Sequence, residues 1–241
     1  MTNITGKTAV VAGGGRNIGL AIVRRLLAMG WTVHVGLLRT GWDDIAILQE
    51  AYPGRVFPVY MDTTKTESVK AAALEISKNS SCVDMLVYNS AVFGNRSDDI
   101  HAEVNFDSFL DTYNVNCLGA MRMVEVFLPQ MEGGMKRLSF VSSEAGAISV
   151  AARTRISSYS MSKAALSMAI RILFNDLQPK GWSFRIFHPG WVRSIKPDKG
   201  IVEGIYEPDF AGNEAVKVFC GDYSWDDRLV MLDIEGRAWP F

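Results

Sequence analysis

The chain is poor in the residues that build covalent and metal-held frameworks. Only three cysteines occur in 241 residues, Cys82, Cys117 and Cys220. They lie far apart and no pair has Cys-x-x-Cys spacing, so neither a disulfide framework nor a cysteine-rich zinc site is expected. Histidine is as scarce. His34, His101 and His188 are never three or four residues from one another, so no histidine-held catalytic metal is expected. A basic excess is missing too. Lys and Arg total 25 against 26 Asp and Glu, a formal net charge of −1, which argues against nucleic acid as a partner. No uncharged apolar run approaches the roughly 20 residues that span a bilayer. The first residues, Met1 to Lys7, hold no apolar core of a signal peptide. The expectation is a soluble, reduced, cytoplasmic protein with no membrane partner.

What is present is ordinary globular composition, with 48% hydrophobic and 21% charged residues. A mass of 26.6 kDa suits one large α/β domain or two small ones. Short β-rich runs alternate with helical stripes. Strands are expected at Thr8–Ala12, Trp31–Leu38, Arg55–Tyr60, Asp84–Asn89, Arg137–Ser142, Trp182–His188 and Leu229–Ile234. Helices are expected at Ile18–Met29, Asp43–Ala51, Glu67–Lys78, Tyr159–Leu177 and Asn213–Cys220. Phe106, Phe109, Tyr113, Cys117, Ala120, Val124, Phe127 and Met131 step by 3 or 4, one continuous apolar stripe of a long helix closed by Pro129 and Gly133-Gly134. Strands separated by helices imply right-handed crossovers and a doubly wound parallel sheet with helices on both faces, a Rossmann fold. With no linker, charge block or repeat, one α/β domain over residues 1–241 is the economical reading. Such sheets bind ligands beyond the carboxyl ends of their strands.

Between the first strand and first helix stands Ala12-Gly13-Gly14-Gly15-Arg16-Asn17-Ile18-Gly19. Glycines there allow a tight turn and let a phosphate approach the helix N-terminus, where free N–H groups and the dipole favour an anion. No Gly-Lys-Ser/Thr follows, so it is not a Walker loop. At the end of strand two, an Asp or Glu would accept from a ribose 2′-hydroxyl and repel a 2′-phosphate. The chain has Leu38-Arg39-Thr40 instead. Arg39, Thr40 and the loop's Arg16 suit a 2′-phosphate, and NADP(H) is expected over NAD(H).

Tyr159 and Lys163 are four apart and share one helix face, continued by Leu166, Ile170, Leu173 and Leu177. A lysine at the end of a core-facing stripe is costly unless something uses it. Its charge is expected to stabilise phenolate and lower the Tyr159 pKa, so that Tyr159 exchanges protons with a carbonyl or alcohol oxygen.

These features together resemble the short-chain dehydrogenase/reductase family over nearly the whole chain. The glycine loop is similar to TGxxxGxG. Asp62 stands where the family has an adenine-contacting Asp, and Tyr88-Asn89-Ser90-Ala91 where it has Asn-Asn-Ala-Gly. Asn116 falls at a helix Asn, Ser142-Ser143 ends strand five, Tyr159-Ser160-Met161-Ser162-Lys163 matches YxxxK, and Pro189-Gly190-Trp191-Val192-Arg193-Ser194 is similar to PGxVxT. The end, Gly236 to Phe241, resembles C-factor and carbonyl-reductase-like members. The resemblance implies a catalytic set of Asn116, Ser143, Tyr159 and Lys163. It implies cofactor contacts at Gly13, Gly15, Arg16, Asn17, Ile18, Gly19, Arg39, Thr40, Asp62, Asn89, Tyr159, Lys163, Pro189, Gly190, Val192 and Ser194. Asn116 would hold a local helix distortion, and a proton path would run from Tyr159 through Lys163 and water to Asn116. Residues 191–213 would form a modest substrate lid.

The implied activity is hydride transfer between NADP(H) and a small-molecule carbonyl or alcohol. The alternatives are reduction of a 3-oxoacyl chain on a carrier protein, or a nucleotide-binding regulator without turnover. The long helix and the Tyr159 helix, which carries a second apolar face at Met161, Ala165, Met168 and Ile172, would form the interface of a homodimer or homotetramer.

Three departures from the family pattern stand out. Asn17 replaces the middle loop glycine, a position that Asn tolerates through its ease at positive φ. Tyr88, Ser90 and Ala91 replace three residues of Asn-Asn-Ala-Gly. The 15 residues between Ser143 and Tyr159 exceed the usual span and bring Arg153, Thr154 and Arg155 to the expected mouth of the site. Those arginines are either solvated charges or a recognition point for an acidic substrate.

Overall fold

The structure, a computed structural model, describes residues 6–39, 42–94, 104–196, 200–224 and 226–241. Its elements run β1 (Thr8–Ala12), α1 (Asn17–Ala28), β2 (Thr32–Leu37), α2 (Asp43–Ala51), β3 (Val56–Tyr60), α3 (Thr66–Ser77) and β4 (Met85–Tyr88). Then come α4 (Phe106–Tyr113), a π-helical turn (Asn114–Leu118), α5 (Gly119–Met131), β5 (Arg137–Val141), α6 (Ser157–Leu177) and β6 (Ser183–His188). The chain closes with β7 (Ser194–Lys196), β8 (Gly200–Val202), α7 (Pro208–Cys220), β9 (Met231–Asp233) and β10 (Ala238–Trp239).

One sheet has the order β10-β9-β6-β5-β4-β1-β2-β3. Every pairing in it is parallel except β10 against β9. The two faces follow from strand alternation. Val10, Leu86, Leu138 and Ile186 face α3, α5 and α6. Ala9, Val11, Val35 and Val87 face α1, α2 and α7. Ala12 is in register with both Gly36 and Tyr88, so the carboxyl ends of β1, β2 and β4 align along one edge. The strand order reverses between β1 and β4, the switch point at which doubly wound sheets take ligands.

The long helix is not continuous. The π turn inserts a residue between α4 and α5, which rotates the following face. Cys117, Ala120, Val124, Phe127 and Met131 are buried, whereas Phe106 is 69% and Tyr113 41% exposed. Pro129 lies inside α5 rather than closing it. The last helix starts at Pro208, five residues before the expected Asn213. Proline suits a first helical turn, and Gly212 lies so close to Ala21 of α1 that a Cβ would collide. The β7–β8 hairpin and β10 were not expected. β10 carries Trp239, which with Phe241 packs against the core of its own chain. Among the described residues no helix is long and apolar enough to cross a membrane, and no cluster of three His, Cys, Asp or Glu side chains suits a metal ion.

Two buried histidines make the fold sensitive to acid. His34 lies 2.7 Å from Ser80 Oγ and stacks on Phe57. Burial lowers its pKa from 6.5 to about 4. His188 is likewise lowered to about 4, by burial first and by Arg153, against the pull of Asp233. Both stay neutral in the folded chain where the unfolded chain already takes up protons. Unfolded chain therefore binds more protons between the two pKa values, and stability falls as pH drops from about 6.5 towards 4. Urea midpoints measured across this window should decline in the wild type and decline less steeply in His34→Gln. Equal slopes would remove His34 from the account.

Candidate active site

The sequence-expected residues gather along the carboxyl edge of β1, β4, β5 and β6. Gly13 follows β1, Asn89 follows β4, Ser143 follows β5, and Pro189 follows β6. The glycine loop turns tightly into α1. Gly19 stands so close to the Gly13 carbonyl that any Cβ would run into it. That same carbonyl accepts from Asn89 Nδ2 at 2.9 Å, which ties the loop to the end of β4. Arg16 is the α1 N-cap in extended backbone, makes no side-chain cap, and the first turn carries no acidic residue. The first N–H groups of α1 thus have no side-chain acceptor at the cap, the donor set that an anion fits.

Arg16 and Arg39 are exposed along this edge; Thr40 lies outside the described residues. Asp62 follows β3 and is already engaged. Its Oδ1 accepts from Thr64 N–H at 3.0 Å and Thr64 Oγ1 at 2.6 Å, and Lys65 lies 3.4 Å from Oδ2. Burial pushes its carboxyl up, but these donors hold it below the ordinary carboxylate value.

Ser143, Tyr159 and Lys163 come together where β5 meets α6. Their approach depends on Gly146, whose missing Cβ leaves room for the α6 backbone at Lys163. The Ser143 side chain favours the ionised form of the Tyr159 phenol. Lys163 Nζ lies 5.7 Å from the Tyr159 ring centre and donates to the Val141 carbonyl at 3.1 Å. Burial lowers the Lys163 pKa to about 8, so the ammonium persists at neutral pH but is poised to lose its proton. Tyr159 departs from the sequence expectation. Burial pushes its phenol above the ordinary value, and the Ser143 side chain and Arg153 charge offset this only in part. Desolvation of the would-be phenolate outweighs the nearby cations.

Asn116 lies in the π turn. Its Oδ1 accepts from Val92 N–H at 2.8 Å, and its Nδ2 donates to the Val92 carbonyl and to Ser162 Oγ, both at 2.9 Å. Ser162 in turn donates to the Tyr159 carbonyl at 2.7 Å. The Asn116 amide therefore clamps the segment after β4 to the turn of α6 that bears Tyr159 and Lys163.

Several contributors escape sequence reading. Glu144 Oε2 accepts the Ser143 hydroxyl at 2.7 Å, and its other oxygen pairs with Arg153. The exposed Arg153 thus already has a carboxylate partner within the chain. Phe93 stacks on Tyr159 with ring centres 4.4 Å apart. His188 Nδ1 accepts N–H groups of Glu144 and Gly190, each at 3.3 Å, pinning the ends of β5 and β6 together. The Phe93–Tyr159, Glu144–Arg153 and Glu144–His188 pairings join residues apart in the chain and leave no local sequence pattern.

The described residues of the expected lid, 191–196 and 200–213, are joined to one another by backbone bonds. Arg193 N–H donates to the Tyr206 carbonyl at 2.9 Å and Ile205 N–H to the Trp191 carbonyl at 2.7 Å. Val192 bridges Tyr206, and Ser194 opens β7 opposite Val202. Trp191, Ile195, Ile201 and Ile205 are each more than half exposed, leaving an apolar surface on this segment.

A family pattern described as short chain dehydrogenase matches residues 7–197. The chain belongs to the short chain dehydrogenase family. An uncharacterized oxidoreductase of Schizosaccharomyces pombe is 29% identical over 233 residues, 95% of this chain and 91% of its own length. C-signal of Myxococcus xanthus is 34% identical over 113 residues, 46% of this chain and 67% of its own. A solved short-chain dehydrogenase/reductase of Burkholderia multivorans with bound NADP is 27% identical. It superimposes with a TM-score of 0.85 over 98% of this chain and 100% of that one. The present chain is accordingly an oxidoreductase of the short-chain dehydrogenase/reductase type.

Within this short chain dehydrogenase, Tyr88 replaces the first Asn of the Asn-Asn-Ala-Gly segment for a visible reason. Its buried hydroxyl donates to the Val115 carbonyl inside the π turn and lies 3.3 Å from Thr63 Oγ1. Burial raises its pKa well above the ordinary phenol value, so it stays protonated as a donor. Tyr88→Phe would remove this buried donor to the Val115 carbonyl at a cost of about 0.5–1.5 kcal/mol. Urea unfolding should show that loss; an unchanged midpoint would mean the π turn does not lean on this hydroxyl.

Proposed function

We propose that this enzyme transfers a hydride between NADP(H) and a carbonyl or alcohol substrate, with Tyr159 as general acid/base. The observation that carries the reading is Tyr159 and the buried Lys163 on one turn of α6, packed through Gly146 against the end of β5 that bears Ser143. The cofactor suits the residues present. The uncapped α1 N-terminus and its glycine loop fit a pyrophosphate. Arg16 and Arg39, with no acidic residue closing β2, fit a 2′-phosphate. The Burkholderia relative with bound NADP supports the same choice. Gly13, Gly15, Ile18, Asn89, Pro189, Gly190, Val192 and Ser194 border this edge and would line the nucleotide.

Bound nicotinamide supplies or accepts the hydride at the substrate carbon. The chain's own part is the proton. In reduction the Tyr159 phenol gives its proton to the substrate oxygen, and in oxidation it takes one back. Ser143 orients that oxygen, after turning its hydrogen away from Glu144. Lys163 stabilises the phenolate and would bind the ribose hydroxyls, while Asn116 keeps the Val92 segment and α6 in place. Residues 1–241 act as one domain, with 191–213 as the substrate lid.

NADPH oxidation with a panel of ketones, aldehydes and acyl thioesters tests the reading. Tyr159→Phe should lower kcat at least about 100-fold on any substrate found; a wild-type rate would remove Tyr159 from the chemistry. Arg39→Asp should shift kcat/KM from NADPH toward NADH by about tenfold or more through loss of charge-assisted bonds. An unaltered ratio would leave Arg39 a surface charge.

The exposed faces of α4 and α6 support self-association. Phe106 and Leu110 on α4, with Met161, Met168 and Ile172 on α6, are 59% to 69% exposed, and α4 lies beside α6. We propose a homodimer or homotetramer built on these helices. Sedimentation at micromolar concentration should show no major monomer; monomer alone would refute it.

A further inference from the structure

Asn17 stands where the resembled loop has a glycine. Its backbone sits at φ 50°, a conformation that glycine takes at no steric cost. The side chain does what no glycine can. Its Oδ1 accepts the Ile195 N–H at 2.9 Å, and its Nδ2 donates to the Ile195 carbonyl at 3.2 Å. Ile195 faces Ile201 across the β7–β8 hairpin. With its N–H and carbonyl both turned to Asn17, it is a non-hydrogen-bonded position of that ladder. The hairpin is therefore tied to the start of α1.

The tie reaches across the whole site. The hairpin follows β6 and Asn17 follows β1, and β5 and β4 stand between those strands. Three inter-strand spacings of about 4.8 Å separate them. The tie thus joins the segment after β6 to the loop after β1, at the β1–β4 reversal, with the strands that lead to Asn89 and Ser143 between them in the sheet. The root of the same segment is stitched by backbone bonds between Trp191–Arg193 and Ile205–Tyr206. Its root is held by backbone hydrogen bonds and, among the described residues, Ile195 by the Asn17 side chain, so the far end can open while the root stays.

We infer that Asn17 is a latch, a positioning residue that closes the β7–β8 hairpin over the dinucleotide and must release Ile195 before the dinucleotide leaves. The inference rests on the NADP(H) reading above. Both bonds are accessible to water, so their net strength is modest; the latch slows release without barring it.

NADPH release, followed by stopped-flow fluorescence on mixing with excess NADP⁺, tests the latch. Asn17→Gly keeps the positive φ and deletes the amide. Ile195→Pro deletes the N–H from the other side, at a position that gives β8 no hydrogen bond. Release should quicken about tenfold in Asn17→Gly, the effect of two bonds of ordinary net strength, and clearly in Ile195→Pro. The melting temperature without nucleotide should stay near wild type. Should Ile195→Pro fail to fold, Asn17→Gly decides alone. Wild-type release in Asn17→Gly would overturn the latch and leave the cofactor reading standing. A wild-type protein that binds no NADPH would overturn the cofactor reading and the latch with it.

Discussion

Lys163 carries a charge into the interior of a water-excluding core, and much of the local architecture answers that cost. An ammonium at this depth loses its hydration, which draws its pKa down to about 8. It keeps its charge at neutral pH with the Val141 carbonyl as a described acceptor. The carboxyl end of β5 must therefore lie against α6, and a glycine at 146 is what allows it. The same approach sets Ser143 against Tyr159. Burying the cation and bringing Ser143 to Tyr159 are one packing problem.

Around that pair the chain uses primary amides as clamps. Asn116 grips both polar groups of Val92 and reaches Ser162. Asn17 grips both polar groups of Ile195, and Asn89 holds the Gly13 carbonyl. A carboxamide offers donor and acceptor side by side, so it can replace a missing strand partner for a single residue of irregular backbone. Loops that must stay open to a ligand cannot be fixed by burial, and these amides fix them without filling the cleft. Tyr88 serves the π turn in a related way, its buried hydroxyl donating to the Val115 carbonyl.

The electrostatics of the site run against a simple Tyr–Lys picture. Desolvation lifts the Tyr159 phenol above its ordinary value. The Ser143 proton is held by Glu144, whose charge is in turn balanced by Arg153. The protein alone thus keeps Tyr159 neutral and Ser143 turned aside. A substrate oxygen would have to compete with Glu144 for the Ser143 hydrogen, and charge-assisted bonds make that competition substantial.

Ser143 was implied by the family resemblance; the sequence by itself determined most of the alternation of strands and helices, the parallel sheet, the glycine loop and the shared helix face of Tyr159 and Lys163. These rest on local periodicity and on spacings of three and four, which the backbone translates directly into faces. The expected continuous stripe from Phe106 to Met131 failed because a π turn changes the helical period at Asn116, and that turn is supported by Tyr88 from another strand. The start of α7 was missed because its first turn is secured by contact with α1. The roles of Glu144, Phe93 and His188, the direction of the Tyr159 shift, and the tie between Asn17 and Ile195 were decided only by tertiary structure. Apart from the contact between the neighbours Ser143 and Glu144, these depend on burial or on a partner apart in the chain, and neither leaves a periodic trace in the order of residues.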